Sequence, residues 1–209
     1  MTARVLERQA VRRVRGDLLW LAVGLVVLVL SALPVDERSL SGAERSVFDG
    51  VNSSPGLPFG PVWLLMQAGN VGAVAGGAVA ALVARRPRLA AGLVVAGALA
   101  YAGAKVVKQL VTRGRPATLV DDVEIHGEVA HGMGFVSGHA AVAVALAVVA
   151  FPYLGRTGRW VVAALAVFVC LARVYVGAHL PLDVVGGAAL GLAAGAGVRL
   201  LFGRPAPCS

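Results

Sequence analysis

The chain has 209 residues, of which 58% are hydrophobic and only 14% are charged. A soluble domain of this length needs far more polar surface, so the composition excludes a soluble protein and indicates a polytopic membrane protein of one domain. In a soluble protein the net charge of +8 would suggest nucleic acid, but here the basic residues lie mostly between apolar segments. Membrane topology therefore explains them, and no nucleic-acid partner is expected.

The first predicted element is an apolar helix at residues 18–33, which follows a segment at residues 1–17 with five arginines. A basic start and an apolar run also fit a signal peptide that is cleaved near residues 31–33. Because the basic segment is long and more membrane segments follow, an uncleaved helix with a cytoplasmic N-terminus is favoured.

Residues 34–60 are polar and predict one short helix. The run from Ser41 to Glu44 is a capping-box pattern, and Val47, Phe48 and Val51 then recur at helical spacing. The pattern predicts a short amphipathic helix that lies on the membrane surface after the first span. An ordinary amphipathic loop helix without a function explains the same residues more simply.

Five further apolar segments each approach the roughly 20 residues that cross a bilayer. They are residues 61–84, 89–111, 137–153, 160–177 and 181–202. The predicted fold is therefore all-α, a bundle of six transmembrane helices over residues 18–203 with a short cytoplasmic tail at residues 204–209. Glycines four apart, at 72 and 76 and at 187, 191 and 195, predict close helix packing.

The lysines and arginines predict the orientation of the bundle. Twelve of the 19 lie in the N-terminal segment, at residues 85–88 and 156–159, and near the C-terminus, all on one side of the predicted membrane. Cytoplasmic loops are enriched in these residues, so that side is expected to be cytoplasmic. The other side receives residues 34–60, residues 112–136 and the turn near His179, and it is expected to face outward.

Three unusual polar stretches share this outward side, and the first runs from Lys108 to Pro116. Lys108 lies near the end of a predicted helix, and Arg113 and Arg115 follow it. Lysine is a compact positive charge, while arginine offers a planar set of donors that suits phosphate oxygens. Taken alone, these bases are better explained as side chains that reach the anionic headgroups of the bilayer.

The second stretch is Ser137-Gly138-His139, directly before an apolar helix. Ser137 is a suitable helix N-cap, and Gly138 lets the backbone approach a ligand closely. Free N–H groups at a helix start can bind an anion, and His139 can exchange a proton near neutral pH. An ordinary helix start with a boundary histidine fits these residues equally well.

The third stretch runs from Arg173 to Asp183 between two apolar segments. His179 can act as a nucleophile if Asp183, four residues later, holds its other ring nitrogen, and Arg173 can reach the same pocket. A metal site is the alternative, but it needs further ligands. Loop 112–136 offers Glu124, His126, Glu128 and His131, whose spacing is more typical of a solvated loop or lid.

Together the three stretches resemble the signature of the type 2 phosphatidic acid phosphatase (PAP2) superfamily. The matching pattern is Lys108-x6-Arg115-Pro116, then Ser137-Gly-His139, then Arg173-x5-His179-x3-Asp183. Three gapped motifs in order are a specific signal, and the resemblance covers roughly residues 60–200. Val136 and Ala172 depart from the family's usual Pro and Ser, which concerns the detail of the pocket more than the reaction.

The resemblance implies a role for each matching residue. His179 attacks phosphorus to form a phosphohistidine, Asp183 orients it, and His139 protonates the leaving oxygen and then activates water. The phosphate is held by the remaining residues of the motifs: Lys108, Arg115, Ser137, Gly138 and Arg173. Phosphoryl transfer needs this combination of an in-line nucleophile, an acid and positive charge around the phosphate oxygens, and the family needs no metal or other cofactor.

The expected function is therefore that of a lipid phosphatase in the bacterial plasma membrane, with its site on the outer face. A polyprenyl diphosphate is the favoured substrate, and phosphatidylglycerophosphate and phosphatidic acid are alternatives. A lipid phosphotransferase on the same scaffold remains open, as does a non-catalytic lipid-binding or transport protein. Vanadium haloperoxidases share the residue set, but the proteins of that group are soluble.

Overall fold

The computed structural model of the protein describes residues 11–12, 15–54 and 56–205. Most of the predicted cytoplasmic segment at residues 1–17 lies outside these ranges, as do residues 206–209 of the predicted tail.

The described chain is built almost entirely from α-helices, as the sequence predicts. They are α1 (Gly16–Ala32), α2 (Gly42–Asn52), α3 (Phe59–Met66), α4 (Val71–Val83), α5 (Pro87–Leu110), α6 (Pro116–Leu119), α7 (Gly138–Ala150), α8 (Arg156–Tyr175) and α9 (Pro181–Phe202). Single 3₁₀ turns at Gln67–Gly69 and Phe151–Tyr153 follow α3 and α7. Two short strands, β1 (Val11–Arg12) and β2 (Arg204–Pro205), pair in antiparallel orientation.

Helix length and composition within the described ranges support an integral membrane protein. The helices α5, α8 and α9 are each long and apolar enough to cross a bilayer, and α3 with α4 adds a fourth span if the pair is counted as one. The helices α1 and α7 are apolar but shorter. Large apolar side chains point outward along these helices, and Val29, Val83 and Val161 are each more than half exposed. Such a surface suits lipid better than water.

The span predicted at residues 61–84 is not one straight helix. It divides into α3 and α4, whose axes are bent by 67° at the turn Gln67–Gly69. Asn70 caps the start of α4 by accepting a hydrogen bond from the backbone N–H of Ala73 at 3.1 Å. Gly69 lies directly against the backbone of His139, where a Cβ atom would be 2.5 Å from the His139 carbonyl oxygen. The bend thus brings this span against the start of α7.

The centre of the bundle is the packing of α9 between α1 and α7. Gly187, Gly191 and Gly195 of α9 lie against the backbone or side chains of α7, which confirms the predicted close-packing face. The predicted face of Gly72 and Gly76 does not pack in this way, because a Cβ atom on Gly76 would meet nothing within 4 Å.

Within the described ranges, members of the two predicted groups of basic residues lie at opposite ends of the helices. At one end, Arg86 donates to the carbonyl of Tyr153 at 2.7 Å, and Arg199 and Arg204 bind the buried carboxylate of Asp17. The other end is formed by the C-termini of α5 and α8 and the N-termini of α7 and α9. All three polar stretches of the sequence lie at this second end.

The short helix predicted within the polar residues 34–60 is α2, and it packs on the second end of the bundle. The Ser41 hydroxyl accepts from the N–H of Glu44 at 3.2 Å, as in a capping box. Phe48 is fully buried and Val51 is half-buried, but Val47 is 56% exposed. The predicted apolar face is therefore narrower than the sequence indicates.

Candidate active site

His179 is held in the short connection between α8 and α9. The N–H groups of Ala178 and His179 both donate to the carbonyl of Arg173, at 3.2 and 3.1 Å, and close the turn that ends α8. Gly177 has a φ of +71° in this turn, which a side chain would strain. The turn directs His179 into the protein, where it is only 3% exposed.

Asp183 orients the His179 ring. It lies in the first turn of α9, and its Oδ2 is 3.3 Å from Nδ1 of His179 and accepts from the N–H of Leu180 at 2.9 Å. On the other side of the ring, Nε2 lies 3.0 Å from Nη1 of Arg115. Arginine can only donate, so Nε2 accepts and the ring proton lies on Nδ1. The lone pair of a potential nucleophile is thus on Nε2.

His179 is neutral at physiological pH. Burial lowers its pKa to about 3, because the charged imidazolium would lose its hydration. The hydrogen bond and charge of Asp183 act in the opposite direction, and the charges of Arg115 and Arg173 lower the pKa further. A neutral, oriented imidazole among cations is suited to attack an anionic phosphate.

A buried ion-pair network lies behind Asp183, and the sequence analysis did not identify it as part of the site. Nη1 of Arg113 donates to Oδ1 of Asp183 at 2.9 Å, and its two terminal nitrogens bind both carboxylate oxygens of Glu44 at 3.1 and 2.5 Å. Burial alone would lower the pKa of Arg113, but the hydrogen bonds and charges of Glu44 and Asp183 outweigh it and raise that pKa above its usual value.

The capping-box pattern from Ser41 to Glu44 drew attention to Glu44, but it did not predict the partner of that side chain. In a complete capping box its side chain would return to the N–H of Ser41. Instead, Oε1 of Glu44 accepts from the N–H of Leu182 at 2.9 Å as well as from Arg113. The partner lies 69 residues away in the chain, beyond the reach of a local pattern.

Lys108 and Arg115 both contact one short segment of loop 112–136. Lys108 donates to the carbonyls of Met133 and Gly134 at 2.7 and 3.2 Å. Arg115 donates to the carbonyls of His131 and Gly132, both at 3.2 Å, and to that of Ala178 at 2.7 Å. We define residues 131–134 as the carbonyl segment. Its carbonyls accept hydrogen bonds from two of the three cations that the sequence predicts for phosphate.

Arg173 has few hydrogen-bond partners among the described residues. Its Nη1 donates to the sulfur of Met66 at 3.4 Å, and its buried Nε has no hydrogen-bond partner there. The charges of Arg173, Arg115 and Lys108 act on one another, so the three side chains lie close together. A buried guanidinium with an unused donor is ready to bind an anion.

Ser137, Gly138 and His139 form the start of α7. The N–H of Ser137 donates to the carbonyl of Asp183 at 2.8 Å, which ties this start to that of α9. The Ser137 hydroxyl accepts from the N–H of Ala140 at 3.5 Å, and a Cβ atom on Gly138 would meet nothing within 4 Å. The charges of Arg173 and Arg115 act on the half-buried His139. All predicted site residues therefore lie at one end of the bundle.

Loop 112–136 is tied to this end by hydrogen bonds, while Glu124, Glu128 and His131 remain exposed, as in the predicted solvated loop or lid. The side chain of Asn52 donates to the carbonyls of Glu124 and Tyr175 at 2.8 and 2.9 Å and accepts from the N–H of Glu124. His126 stacks on the Tyr175 ring at 4.4 Å between centroids. Within the described ranges, no group of three or more His, Cys, Asp or Glu side chains is placed to hold a metal ion.

Of two cavities, one is lined in part by the predicted site residue Arg115, and the other is lined by none of the predicted site residues. One of about 510 Å³ is lined by Arg115, Thr118 and His131 among others and opens beside the carbonyl segment. The other, of about 250 Å³, is an apolar groove whose lining includes Ala68, Leu93, Leu165 and three alanines of α7, at positions 143, 147 and 150. Ala143 is about one helical turn from His139, so the groove runs along α7 away from the site.

Comparison with known proteins finds relatives of this chain. A family model described as the PAP2 superfamily matches residues 89–206. The decaprenylphosphoryl-5-phosphoribose phosphatase of Mycolicibacterium smegmatis is 38% identical over 122 residues, which are 58% of this chain and 63% of that protein. The chain therefore aligns with somewhat less than two thirds of this relative's length.

Two solved structures share the fold. LpxE of Aquifex aeolicus superposes with a TM-score of 0.70 at 22% identity, over 77% of this chain and 96% of that one. A transmembrane PAP2-type phosphatidylglycerolphosphate phosphatase from Bacillus subtilis gives 0.65 at 19% identity, over 89% and 95%. At these identities the likeness concerns the fold.

Proposed function

The chain belongs to the PAP2 superfamily, and on that basis we propose that it is a membrane lipid phosphatase that works through a phosphohistidine on His179. One observation carries the proposal. The buried, neutral His179 is held by Asp183 at Nδ1 and faces the guanidinium of Arg115 at Nε2. This arrangement combines an oriented nucleophile with positive charge where a phosphate would be attacked.

In the first step, Nε2 of His179 attacks phosphorus, and the bond from phosphorus to the lipid oxygen breaks. His139 gives its proton to that oxygen, so the lipid leaves as a neutral alcohol or, from a diphosphate, as a lipid phosphate. The imidazole becomes positively charged when it carries the phosphoryl group. Asp183 stabilises that charge through the Nδ1 proton.

In the second step, His139 takes a proton from water, and the water oxygen attacks the phosphohistidine. The bond between phosphorus and Nε2 breaks, inorganic phosphate leaves, and His179 is neutral again. Lys108, Arg115 and Arg173, with Ser137 and the N–H of Gly138, hold the phosphate oxygens in both steps. Lys108 and Arg115 must first release the carbonyl segment, and Arg115 must also release Nε2 of His179 so that its lone pair is free to attack.

The substrate we propose is a phosphate on a polyprenyl lipid. A polyprenyl diphosphate is favoured, with phosphatidylglycerophosphate and phosphatidic acid as alternatives. The apolar groove beside α7 supports a long hydrocarbon chain next to the site. The relative from Mycolicibacterium smegmatis, which is named for a decaprenyl-linked sugar phosphate, adds a polyprenylphosphoryl sugar phosphate to the candidates.

The deciding experiment measures phosphate release by the purified protein in detergent, with EDTA present, across these four lipid classes. Release should persist with EDTA and vanish in His179→Ala. The matched control is His126→Phe, which changes another histidine at the same end but keeps a ring to stack on Tyr175. Undiminished release by His179→Ala would refute the nucleophile, and loss with EDTA would restore the metal alternative.

A phosphotransferase is distinguished from a hydrolase by its products. The cavity beside Arg115 leaves space for an acceptor as well as for water. Product analysis with and without an added lipid or sugar alcohol separates the two reactions. We expect free phosphate in both cases, whereas a phosphorylated acceptor that replaces free phosphate would indicate transfer.

We further propose six membrane crossings, cytoplasmic termini, an outward-facing site and an interfacial position for α2. The basic residues at the end opposite His179 support this orientation. A cysteine introduced as Glu128→Cys, with both native cysteines replaced by serine, should react with a membrane-impermeant reagent added outside the cell. Labelling only from the cytoplasmic side would show that the protein has the opposite orientation in the membrane.

A further inference from the structure

The carboxylate of Asp183 has two sides, and only one of them faces His179. Oδ2 binds the ring and the N–H of Leu180, while Oδ1 accepts from Arg113 at 2.9 Å. Arg113 is only 1% exposed, so its charge acts on Asp183 with little screening by water. A guanidinium on Oδ1 fixes the plane of the carboxylate and thereby the direction of Oδ2.

This cation also creates an electrostatic difficulty. Asp183 can stabilise a positive imidazole only through its own negative charge, and a buried Arg113 beside it would cancel that charge. Glu44 removes the difficulty, because its carboxylate binds both terminal nitrogens of Arg113. The three buried groups together carry a net charge of −1, the charge that Asp183 alone would present.

Glu44 is also tied to the helix that carries Asp183. Its Oε1 accepts from the N–H of Leu182 at 2.9 Å, in the first turn of α9. The same carboxylate therefore contacts the guanidinium and the backbone next to Asp183. Through Glu44, helix α2 thus reaches the back of the site.

We propose that Arg113 and Glu44 are positioning residues for His179: Arg113 orients the Asp183 carboxylate, and Glu44 compensates the charge of Arg113 so that Asp183 keeps its negative field at the imidazole. This proposal rests on the phosphatase function proposed above. Simple attachment of α2 to α9 is the competing explanation. It does not require charges, because apolar side chains of similar volume often hold buried contacts as well or better.

The test compares variants that differ in charge near His179. Glu44→Gln leaves Arg113 paired with Asp183, so no buried charge is unpaired and the variant should fold, but the net charge becomes zero. The double variant Glu44→Gln/Arg113→Gln returns the net charge to −1. Asp49→Asn is the control, since it removes another carboxylate of α2 from a half-exposed pair with Arg45. Phosphate release and thermal unfolding are measured for each full-length protein in detergent.

Glu44→Gln should lower kcat by about 10- to 100-fold with KM changed less than about threefold, since the lost interaction matters most when His179 is positive. The double variant should have a higher kcat than Glu44→Gln. If Glu44 and Arg113 served only to attach α2 to α9, the losses from the two substitutions would add and the double variant would be slower. Asp49→Asn should stay within about twofold of the wild-type kcat. If Glu44→Gln does not fold, the double variant decides, and its kcat should lie within about tenfold of the wild-type value.

The outcomes separate this inference from the function on which it rests. A wild-type protein that releases no phosphate from any lipid would overturn both. Release by the wild type with an undiminished kcat in Glu44→Gln would overturn the positioning role alone. A double variant slower than Glu44→Gln, or more than about tenfold below the wild type when it is tested alone, would also overturn it.

Discussion

The bend between α3 and α4 gives a sharp prediction, because Gly69 touches the backbone of the proposed acid His139. In Gly69→Ala, the new Cβ would lie 2.5 Å from the His139 carbonyl oxygen, about 0.9 Å short of an ordinary contact of 3.4 Å. Its other near neighbours are the carbonyl carbon and Cα of His139, both at 3.0 Å. Backbone atoms cannot rotate away, so α7 must move at its first turn.

We expect this displacement to affect both activity and stability. A misplacement of about 1 Å in a catalytic group can cost about 100-fold in rate, so kcat should fall by about 10- to 100-fold. Overpacking of this kind costs about 1–3 kcal/mol of the free energy of unfolding. Phosphate release by detergent-solubilised protein gives kcat, and thermal unfolding followed by circular dichroism gives the stability.

Gly76→Ala is the matched control on the same bent span. Its Cβ would meet nothing within 4 Å, and alanine favours a helix over glycine by up to about 1 kcal/mol. This variant should keep the wild-type kcat and unfold at the same or a slightly higher temperature. Equal kcat values for the two variants would refute the idea that the bend positions His139.

Three further predictions concern other parts of the molecule. Because burial lowers the pKa of His179 from 6.5 to about 3, protonation of this ring should not lower kcat/KM between about pH 7 and pH 5. The stability that neutral His179 contributes is complete above about pH 6.5 and is lost as the pH falls toward 3, so the wild type should lose more thermal stability on acidification than His179→Asn. Equal losses in the two proteins would contradict the assignment. Asn52→Ala removes two hydrogen bonds to Glu124 of loop 112–136 and one to Tyr175 at the end of α8. The free energy of unfolding should therefore fall by about 3 kcal/mol, and amide exchange at Glu124 should accelerate. Unchanged exchange there would show that other contacts hold the loop. Asp17→Asn leaves the half-buried charges of Arg199 and Arg204 without their carboxylate, which should cost about 2–3 kcal/mol of stability. The kcat of the folded protein should stay unchanged, because these residues lie at the opposite end from His179. A selective loss of kcat would contradict this separation.

The sequence predicted the ends of the helices better than their middles. Residues 181–202 were predicted as a helix and form α9 with those bounds, since Leu180 and Pro181 mark its start and Gly203 its end. The break at Gln67–Gly69 was not predicted, because residues 61–84 are apolar apart from Gln67 and Asn70 and mean hydropathy does not register a bend. The bend depends on contact with α7, which is distant in sequence.

The candidate site shows the same division between local and distant information. His179 and Asp183 are four residues apart near the start of one helix, so their contact follows from local geometry. The pairing of Arg113 with Glu44 joins residues 69 positions apart, and only the folded chain brings them together. The motifs also did not predict the contacts of Lys108 and Arg115 with the carbonyl segment. A motif specifies the types of side chain, but it does not specify which backbone carbonyls accept hydrogen bonds from those side chains.

The carbonyl segment has a consequence for affinity. A phosphate that reaches Lys108 and Arg115 replaces four carbonyl contacts, so binding is an exchange whose gain is only the difference between two sets of hydrogen bonds. Inorganic phosphate has little beyond that difference, whereas a lipid phosphate also buries its hydrocarbon chain. The backbone carbonyls thus compete with every phosphate that binds, so the site retains the lipid phosphate substrate better than the inorganic phosphate product.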